Sequence, residues 1–147
     1  MTDEYSTAGD LRQPIVAVMG SGMDEHGELA GPLGEWIGAN GCHLLTGGGA
    51  GGMASVSRAF HSVEGRAGRS IGILPGSPGA GGRGSPGGYP NHWVEIPIRT
   101  HLPLSGERGR DPMSRNHLNV LSADVIVALP GGAGTRSEVE LALEYGR

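Results

Sequence analysis

The sequence predicts a Rossmann-like α/β domain, a doubly wound and mainly parallel sheet with helices on both faces. Short β-branched apolar runs recur along the 147 residues, and glycine-rich loops follow three of them. Stretches with apolar residues at helical spacing come after these loops. Strands that alternate with helices favour parallel pairing through right-handed crossovers. The length suits one domain with a single hydrophobic core, which we place at residues 14–147.

The first strand and helix follow a polar N-terminal tail, residues 1–13. Residues 14–18 form a β-branched apolar run that leads into a Gly-Ser-Gly turn at 20–22, which is typical of a buried strand. Apolar residues at helical spacing predict a helix over 28–40, and Gly41 is a natural C-terminal stop.

The middle of the chain repeats this pattern. A second strand is predicted at 42–46, followed by the glycines of 47–52 and a helical stretch that extends to residue 63. A third strand is predicted at 70–74. Residues 76–90 are almost entirely Gly, Pro, Ser, Ala and Arg, a composition that buries too little apolar surface to offset its ordering entropy. We therefore expect a mobile loop there.

The C-terminal part contains the clearest strand, at 124–129, followed by a glycine loop and a helix over 136–145. Before it come a short strand at 93–98, placed at a sheet edge because of Pro97, and a helix at 113–121. The sequence ends after a helix where this fold would normally add a covering strand. The last strand is thus expected to be missing, either because the sequence is a fragment or because the fold ends one element early.

Composition excludes several classes of function. The net charge is −4 and no run of basic residues occurs, which argues against a nucleic-acid surface. No apolar stretch reaches the roughly 18 residues that span a bilayer, and the N-terminus does not resemble a signal sequence, so we expect a cytoplasmic protein without membrane contact. The single cysteine, Cys42, is expected to be a small buried hydrophobe. The six histidines show no metal-ligand spacing, so no metal site is predicted.

The absence of lysine is more informative about function than the overall composition is. All 11 basic residues are arginines. Without an ε-amino group the chain cannot form a Schiff base with pyridoxal phosphate, and it cannot supply the lysine of a phosphate-binding P-loop.

A single ligand site is predicted where the glycine loops meet, because the carboxyl ends of parallel strands converge on one crevice. Consecutive glycines let main-chain N–H groups approach a phosphate, although the loop at 47–52 could also be merely flexible. The turn at 20–22 lacks the full GxGxxG spacing and is only supporting. The candidate binding residues in these loops are Gly20, Ser21, Gly22, Gly47, Gly48, Gly49, Met53, Gly131, Gly132, Ala133, Gly134 and Thr135.

The segment 130–138 is the sharpest signal. A glycine loop followed at once by a helix directs unpaired N–H groups and the positive end of the helix dipole at one spot, so a phosphate is expected against Gly131 to Thr135. Thr135 and Glu138 also have the spacing of a capping box. Spacing alone leaves Glu138 open as a structural or a catalytic residue.

The string PGGAGTRSE resembles the PGGxGTxxE motif of the LOG family, Rossmann-like proteins formerly labelled lysine decarboxylases. GGGAGGM is similar to the second loop of that family. SRNHLNVLSADVIVALPGGAGT, LLTGG and LALEYGR more closely resemble the molybdenum cofactor carrier branch. The decarboxylase label fails here because the chain has no lysine.

The two branches imply different chemistry. LOG enzymes hydrolyse the N-glycosidic bond of nucleoside 5′-monophosphates, and by position their catalytic arginine and glutamate correspond to Arg115 and Glu138. The lysine that usually follows this arginine is replaced by Asn116, which weakens the enzymatic interpretation. Carrier proteins bind the phosphate of a pterin cofactor and need no catalytic pair.

The resemblance thus implies a protein that binds a phosphorylated small molecule, a nucleotide or the molybdenum cofactor, with Arg115 and Asn116 added to the binding set. No cofactor is expected to be required for folding. A nucleoside monophosphate phosphoribohydrolase is the alternative, and a nucleotide-sensing module without turnover stays open. Related proteins are commonly oligomers, and the apolar residues Val139, Leu141 and Leu143 of the last helix predict a homo-oligomeric contact, in a dimer or tetramer.

Overall fold

The computed structural model describes residues 12–77 and 84–147, and within these ranges it contains five strands, four α-helices and one turn of 3₁₀ helix. In chain order the elements are β1 Ile15–Met19, α1 Gly27–Ala39, β2 His43–Thr46, α2 Gly52–His61, β3 Ser70–Leu74, β4 Ile96–Arg99, the 3₁₀ turn Gly106–Arg108, α3 Asn116–Leu121, β5 Val125–Ala128 and α4 Ala133–Tyr145.

The five strands form one parallel sheet in the order β4-β3-β2-β1-β5. From β1 the chain winds outward through β2 and β3 to β4, and then crosses back to add β5 on the other side of β1. The predicted doubly wound α/β class is confirmed. Strand β4 lies at an edge, as Pro97 predicted, because proline has no N–H to donate to a further strand. The reversal of winding lies between β1 and β5, which is where such sheets bind ligands.

The core divides into two layers because successive residues of a strand point to opposite faces of the sheet. Val16 and Val18 of β1 pack with α1 and α2 on one face, in a cluster that includes Phe60. Ala17 and Met19 of the same strand pack on the other face with residues of α3 and α4. Helices therefore cover both faces. Cys42 is buried in the first cluster, as the sequence predicted.

Helices α1 and α2 approach closely at Gly34. A side-chain methyl built there would contact Val56 O, and would lie 2.8 Å from Ala59 Cβ and 2.9 Å from Phe60 N. Gly34→Ala should therefore lower the free energy of unfolding by about 1–3 kcal/mol, the usual effect of overpacking a rigid contact. Gly27→Ala in the same helix has no heavy atom within 4 Å of the new methyl and should leave the free energy unchanged or raise it by up to about 1 kcal/mol. Urea denaturation of both variants measures the difference, and equal effects would contradict the packing argument.

The start of α4 corrects one expectation. The helix begins at Ala133, three residues before the predicted start, and its N-cap Gly132 has no side chain that could cap it. Thr135 therefore lies inside the first turn, and the capping box that the spacing of Thr135 and Glu138 allows is not formed. The Glu138 carboxylate instead accepts a hydrogen bond of 3.0 Å from Asn119 Nδ2 of α3. Alanine and glycine at the first two positions allow the earlier start because neither side chain competes for backbone hydrogen bonds.

The predicted exposed apolar face of α4, formed by Val139, Leu141 and Leu143, is not observed. Leu141 is 1% exposed and belongs to the core, Val139 is half-buried, and only Leu143 is fully open, at 76%. Side chains two residues apart on a helix do not share a face, which is the physical reason for the correction. These three residues therefore do not form one exposed apolar surface that a second subunit could cover.

Two expectations fall partly outside the described residues. Of the N-terminal tail, residues 1–11 lie outside them, whereas Arg12 is bound to the domain by two hydrogen bonds of 2.7 and 3.0 Å to Asp124. Of the loop predicted to be mobile, residues 78–83 lie outside them. Its described ends are held by hydrogen bonds, among them Gly76 N–H to Leu102 O at 2.9 Å.

Candidate ligand-binding site

A cavity of about 310 Å³ lies at the carboxyl ends of β1 and β5, at the reversal of winding. We call it the crevice. It is lined by residues from the loops after β1 and β5, from α2, α3 and the first turns of α4, and from the segments that precede β4 and α3: Gly20, Ser21, Gly22, Met23, Met53, Tyr89, Ser105, Gly106, Arg115, Asn116, Gly132, Gly134, Thr135 and Glu138.

The loops after β1 and β5 touch each other at the crevice. A methyl built on Gly131 would lie 3.1 Å from Ser21 N and would also contact the Thr135 side chain. Ser21 Oγ accepts hydrogen bonds from Met23 N–H at 3.0 Å and Asp24 N–H at 2.9 Å, which fixes the turn after β1. Gly131 is therefore the residue that allows the two loops to meet, and it does not itself line the crevice.

The N-terminus of α4 opens into the crevice. The first N–H groups of this 13-residue helix have no partner within the helix and carry the positive end of its dipole. Thr135 in the same turn is 8% exposed, and its Oγ1 has no hydrogen-bond partner in the part of the chain that the structure describes. A buried hydroxyl without a partner is unfavourable unless a bound molecule or water completes it.

Arg115, the N-cap residue of α3, is buried beside the crevice with 4% of its surface exposed. Its Nη1 donates a hydrogen bond of 2.8 Å to Ile73 O, whereas its Nε has no partner within residues 12–77 and 84–147. Burial lowers the pKa of Arg115 and the carboxylate of Glu138 opposes this shift. The chain has thus placed a guanidinium with an unsatisfied donor at the wall of a cavity, which suits an anionic ligand.

Glu138 lines the crevice one turn after Thr135 and is 8% exposed. Burial raises its pKa, while the positive charge of Arg115 and the hydrogen bond from Asn119 act in the opposite direction. Arg115 and Glu138 interact through space, and neither takes part in an ion pair among the described residues. A raised pKa favours the protonated carboxyl group, which can donate a hydrogen bond to a ligand.

The glycines of the second loop lie behind the crevice wall. A methyl on Gly47 would collide with the Arg115 guanidinium, one on Gly48 with Leu74, and one on Gly49 with Met53 Cε at 2.7 Å. These three residues do not line the crevice, contrary to the expectation that their N–H groups face a phosphate. Their role in the structure is to leave room for the side chains that do line it.

Ten of the residues expected at the site line the crevice: Gly20, Ser21, Gly22, Met53, Arg115, Asn116, Gly132, Gly134, Thr135 and Glu138. Ala133 and Gly131 do not line it, and both are exposed. Four lining residues were missed, namely Met23, Tyr89, Ser105 and Gly106. Tyr89 had a signal, since it is the only aromatic residue of the segment 76–90. The other three lie in irregular segments without a pattern that could identify them.

Two ring-bearing side chains, His117 and Trp93, lie away from the crevice. His117 Nδ1 is 2.8 Å from Tyr145 Oη, and its Nε2 contacts two backbone carbonyls, so it joins α3 to the end of α4. Trp93 is half-buried against the rings of His61 and His92 and does not line the crevice. Within the described ranges no three His, Cys, Asp or Glu side chains are grouped so that they could hold a metal ion. None of the helices in these ranges has the length and hydropathy of a membrane-spanning segment.

The fold and the crevice define a Rossmann-like protein with a cavity at the switch point of its sheet. The model of the SLOG cluster4 family matches residues 13–147, and the chain belongs to this family. This bears out the resemblance to LOG-like proteins. None of the curated protein sequences is similar enough to this chain to count as a match.

Solved structures give the nearer likeness. The chain is 35% identical to the molybdenum cofactor binding protein from the phototrophic bacterium Rippkaea orientalis, with a TM-score of 0.73, over 92% of this chain and 74% of that one. It is 33% identical to the Moco carrier protein from Chlamydomonas reinhardtii, with a TM-score of 0.68, over 92% of this chain and 74% of that one. The resemblance to the molybdenum cofactor carrier branch is therefore confirmed at the level of family and fold.

Proposed function

We propose that this protein binds the molybdenum cofactor, a pterin that carries a phosphate, as cargo in the crevice, and that it acts as a carrier without turnover. The proposal depends on two buried donors, Arg115 Nε and Thr135 Oγ1, which lie beside the open N-terminus of α4 and have no hydrogen-bond partner among residues 12–77 and 84–147. The likeness to two proteins that are named for this cofactor supports its choice as the cargo.

The phosphate is assigned to the N-terminal turn of α4, at the N–H groups of Gly132, Gly134 and Thr135, which line the crevice. Unpaired N–H groups and the helix dipole favour a dianion, the Thr135 hydroxyl adds a donor, and the Arg115 guanidinium supplies positive charge. The residues present fit such a group, because Arg115 Nε and Thr135 Oγ1 have no hydrogen-bond partner in the described parts of the chain. A volume of about 310 Å³ is at the lower end of what small-molecule sites use.

Native mass spectrometry of the protein purified without added ligand tests this proposal. We expect a bound species that, after denaturation, yields a phosphorylated pterin together with molybdenum in the same fraction. Thr135→Val removes one donor at nearly constant volume and should lower the bound fraction several-fold, whereas Leu143→Ala on the exposed side of α4 should leave it unchanged. A nucleotide in place of the pterin, or loss of cargo in the control, would overturn the carrier assignment.

One observation favours a second function. Arg115 and Glu138 both line the crevice, and the raised pKa of Glu138 would let this carboxyl group act as a general acid toward a leaving base. An N-glycosidic hydrolase acting on nucleoside 5′-monophosphates would use the same phosphate site. Asn116, which is 2% exposed and lines the crevice, contributes no charge where LOG enzymes usually have lysine, and for this reason we place the hydrolase second.

A further inference from the structure

Tyr89 is the only aromatic residue among the described residues that line the crevice. It belongs to the segment between β3 and β4, which the sequence alone predicts to be mobile. Its ring is half-buried, and the Arg115 guanidinium carbon lies 6.0 Å from the ring centre. Tyr89 thus places an aromatic ring at the edge of a cavity that is also lined by charged and hydroxyl side chains.

Asn91, two residues after Tyr89, joins this segment to the second glycine loop, residues 47–52. Asn91 N–H donates to Gly48 O at 2.7 Å, and Asn91 Nδ2 donates to Gly49 O at 2.8 Å. Asn91 Oδ1 in turn accepts from Trp93 N–H at 2.9 Å. Two hydrogen bonds that Asn91 donates therefore hold the chain two residues after Tyr89 to the second glycine loop, which limits the positions that the ring can adopt.

Gly49 leaves the space that the ring occupies. A methyl built on Gly49 would lie 3.0 Å from Tyr89 Oη, 3.1 Å from Tyr89 Cε1 and 2.7 Å from Met53 Cε. The ring and the Met53 thioether thus lie side by side on the same glycine, and both line the crevice. Together they form an aromatic and apolar wall, while the α4 N-terminus, Thr135 and Arg115 supply the polar donors of the same cavity.

We infer that Tyr89, with Met53 beside it, is the specificity-determining surface for the flat heteroaromatic ring of the ligand. This inference rests on the proposed function, since it assumes that the α4 N-terminus binds the phosphate. The shared chemistry of the ligand is a fused two-ring heterocycle joined to a phosphorylated tail, as found in pterin phosphates and purine nucleotides. Stacking on tyrosine recognises the ring face and adds affinity that a ringless phosphate cannot gain.

Three probes separate the ring from the phosphate. Ribose 5-phosphate has no aromatic heterocycle. Guanosine 5′-monophosphate carries a purine, and neopterin phosphate carries a pterin. The pyrimidine ring of the pterin bears the same amino and oxo groups as that of guanine. Their dissociation constants are measured by isothermal titration calorimetry for the wild-type protein, Tyr89→Phe and Tyr89→Ala. Tyr89→Phe keeps the ring and removes only the hydroxyl, which distinguishes stacking from a positioning role through Arg115.

We expect at least one ring-bearing probe to bind the wild type more tightly than ribose 5-phosphate. Tyr89→Ala should weaken that probe by about 5- to 100-fold, the range for loss of one aromatic stack, and should change ribose 5-phosphate less than twofold. Tyr89→Phe should bind all probes as the wild type does. The probe that loses more affinity in Tyr89→Ala identifies whether a pterin or a purine ring is recognised.

Two results would overturn the inference while leaving the phosphate site intact. One is an equal loss of all three probes in Tyr89→Ala, which would indicate a structural role. The other is a loss of ribose 5-phosphate binding in Tyr89→Phe, which would indicate that the hydroxyl positions Arg115. If ribose 5-phosphate and both ring-bearing probes fail to bind the wild type, the proposed function itself is wrong, and the inference falls with it.

Discussion

Replacing Arg115 with glutamine is expected to weaken ribose 5-phosphate binding by about 10- to 150-fold, the free-energy range of hydrogen bonds to a charged group. The guanidinium is 4% exposed and its Nε has no partner in the described ranges, so its interaction with an anion is poorly screened by water. Glutamine retains a donor that could reach Ile73 O but carries no charge. Calorimetric titration at constant ionic strength measures the loss.

Arg136→Gln is the matched control for this experiment. Arg136 lies in the first turns of α4, near the proposed phosphate site. Its side chain is 82% exposed and forms an ion pair with Glu140 at 2.9 Å. An exposed arginine in water contributes little, so this variant should change the dissociation constant less than twofold at 0.15 M salt. Equal losses in the two variants would show that general positive charge, and not the buried guanidinium, attracts the phosphate.

The fold could be predicted from the sequence because its signals are local. The β-branched run that became β1 and the run that became β5 lie next to glycine loops, and this order fixes both the strands and their direction. Helix α4 shows where local signals fail. Its start could not be located, because Ala133 and Gly134 carry no capping side chain and the helix boundary depends on how the loop packs against Ser21.

The candidate site was predictable where a ligand-binding loop directly follows a strand, as with Gly132 and Thr135. It was not predictable where tertiary contacts decide which side chains face the crevice. Gly47 and Gly49 look like phosphate-binding glycines in the sequence, yet their Cα atoms lie against Arg115, Met53 and Tyr89. A run of glycines specifies close approach, but it does not specify whether a ligand or a side chain makes that approach.

The substitution Glu138→Gln should separate the two functions proposed for the crevice. If the protein is a carrier, the variant should retain its cargo, because glutamine has nearly the same volume and can still accept the hydrogen bond from Asn119 Nδ2. If it is a hydrolase, the wild type should release free base and ribose 5-phosphate from adenosine 5′-monophosphate. The variant should then lower kcat by about 10²-fold or more, the expected effect of removing a positioned acid or base.

The same variant provides a check that needs no ligand. Because burial raises the pKa of Glu138 above 4.5, the ordinary value for a glutamate side chain, the folded state binds a proton more tightly than the unfolded state does. The stability that this protonation contributes is complete below pH 4.5 and is lost as the pH rises through the folded-state pKa. Glutamine cannot ionise, so the free energy of unfolding of Glu138→Gln should exceed that of the wild type by an amount that grows as the pH increases above 4.5. Urea denaturation at a series of pH values measures this difference. A gap that shrinks with increasing pH would show that the charge on Arg115 outweighs burial and that Glu138 is ionised in the crevice, in which case it could not serve as the general acid that the hydrolase requires.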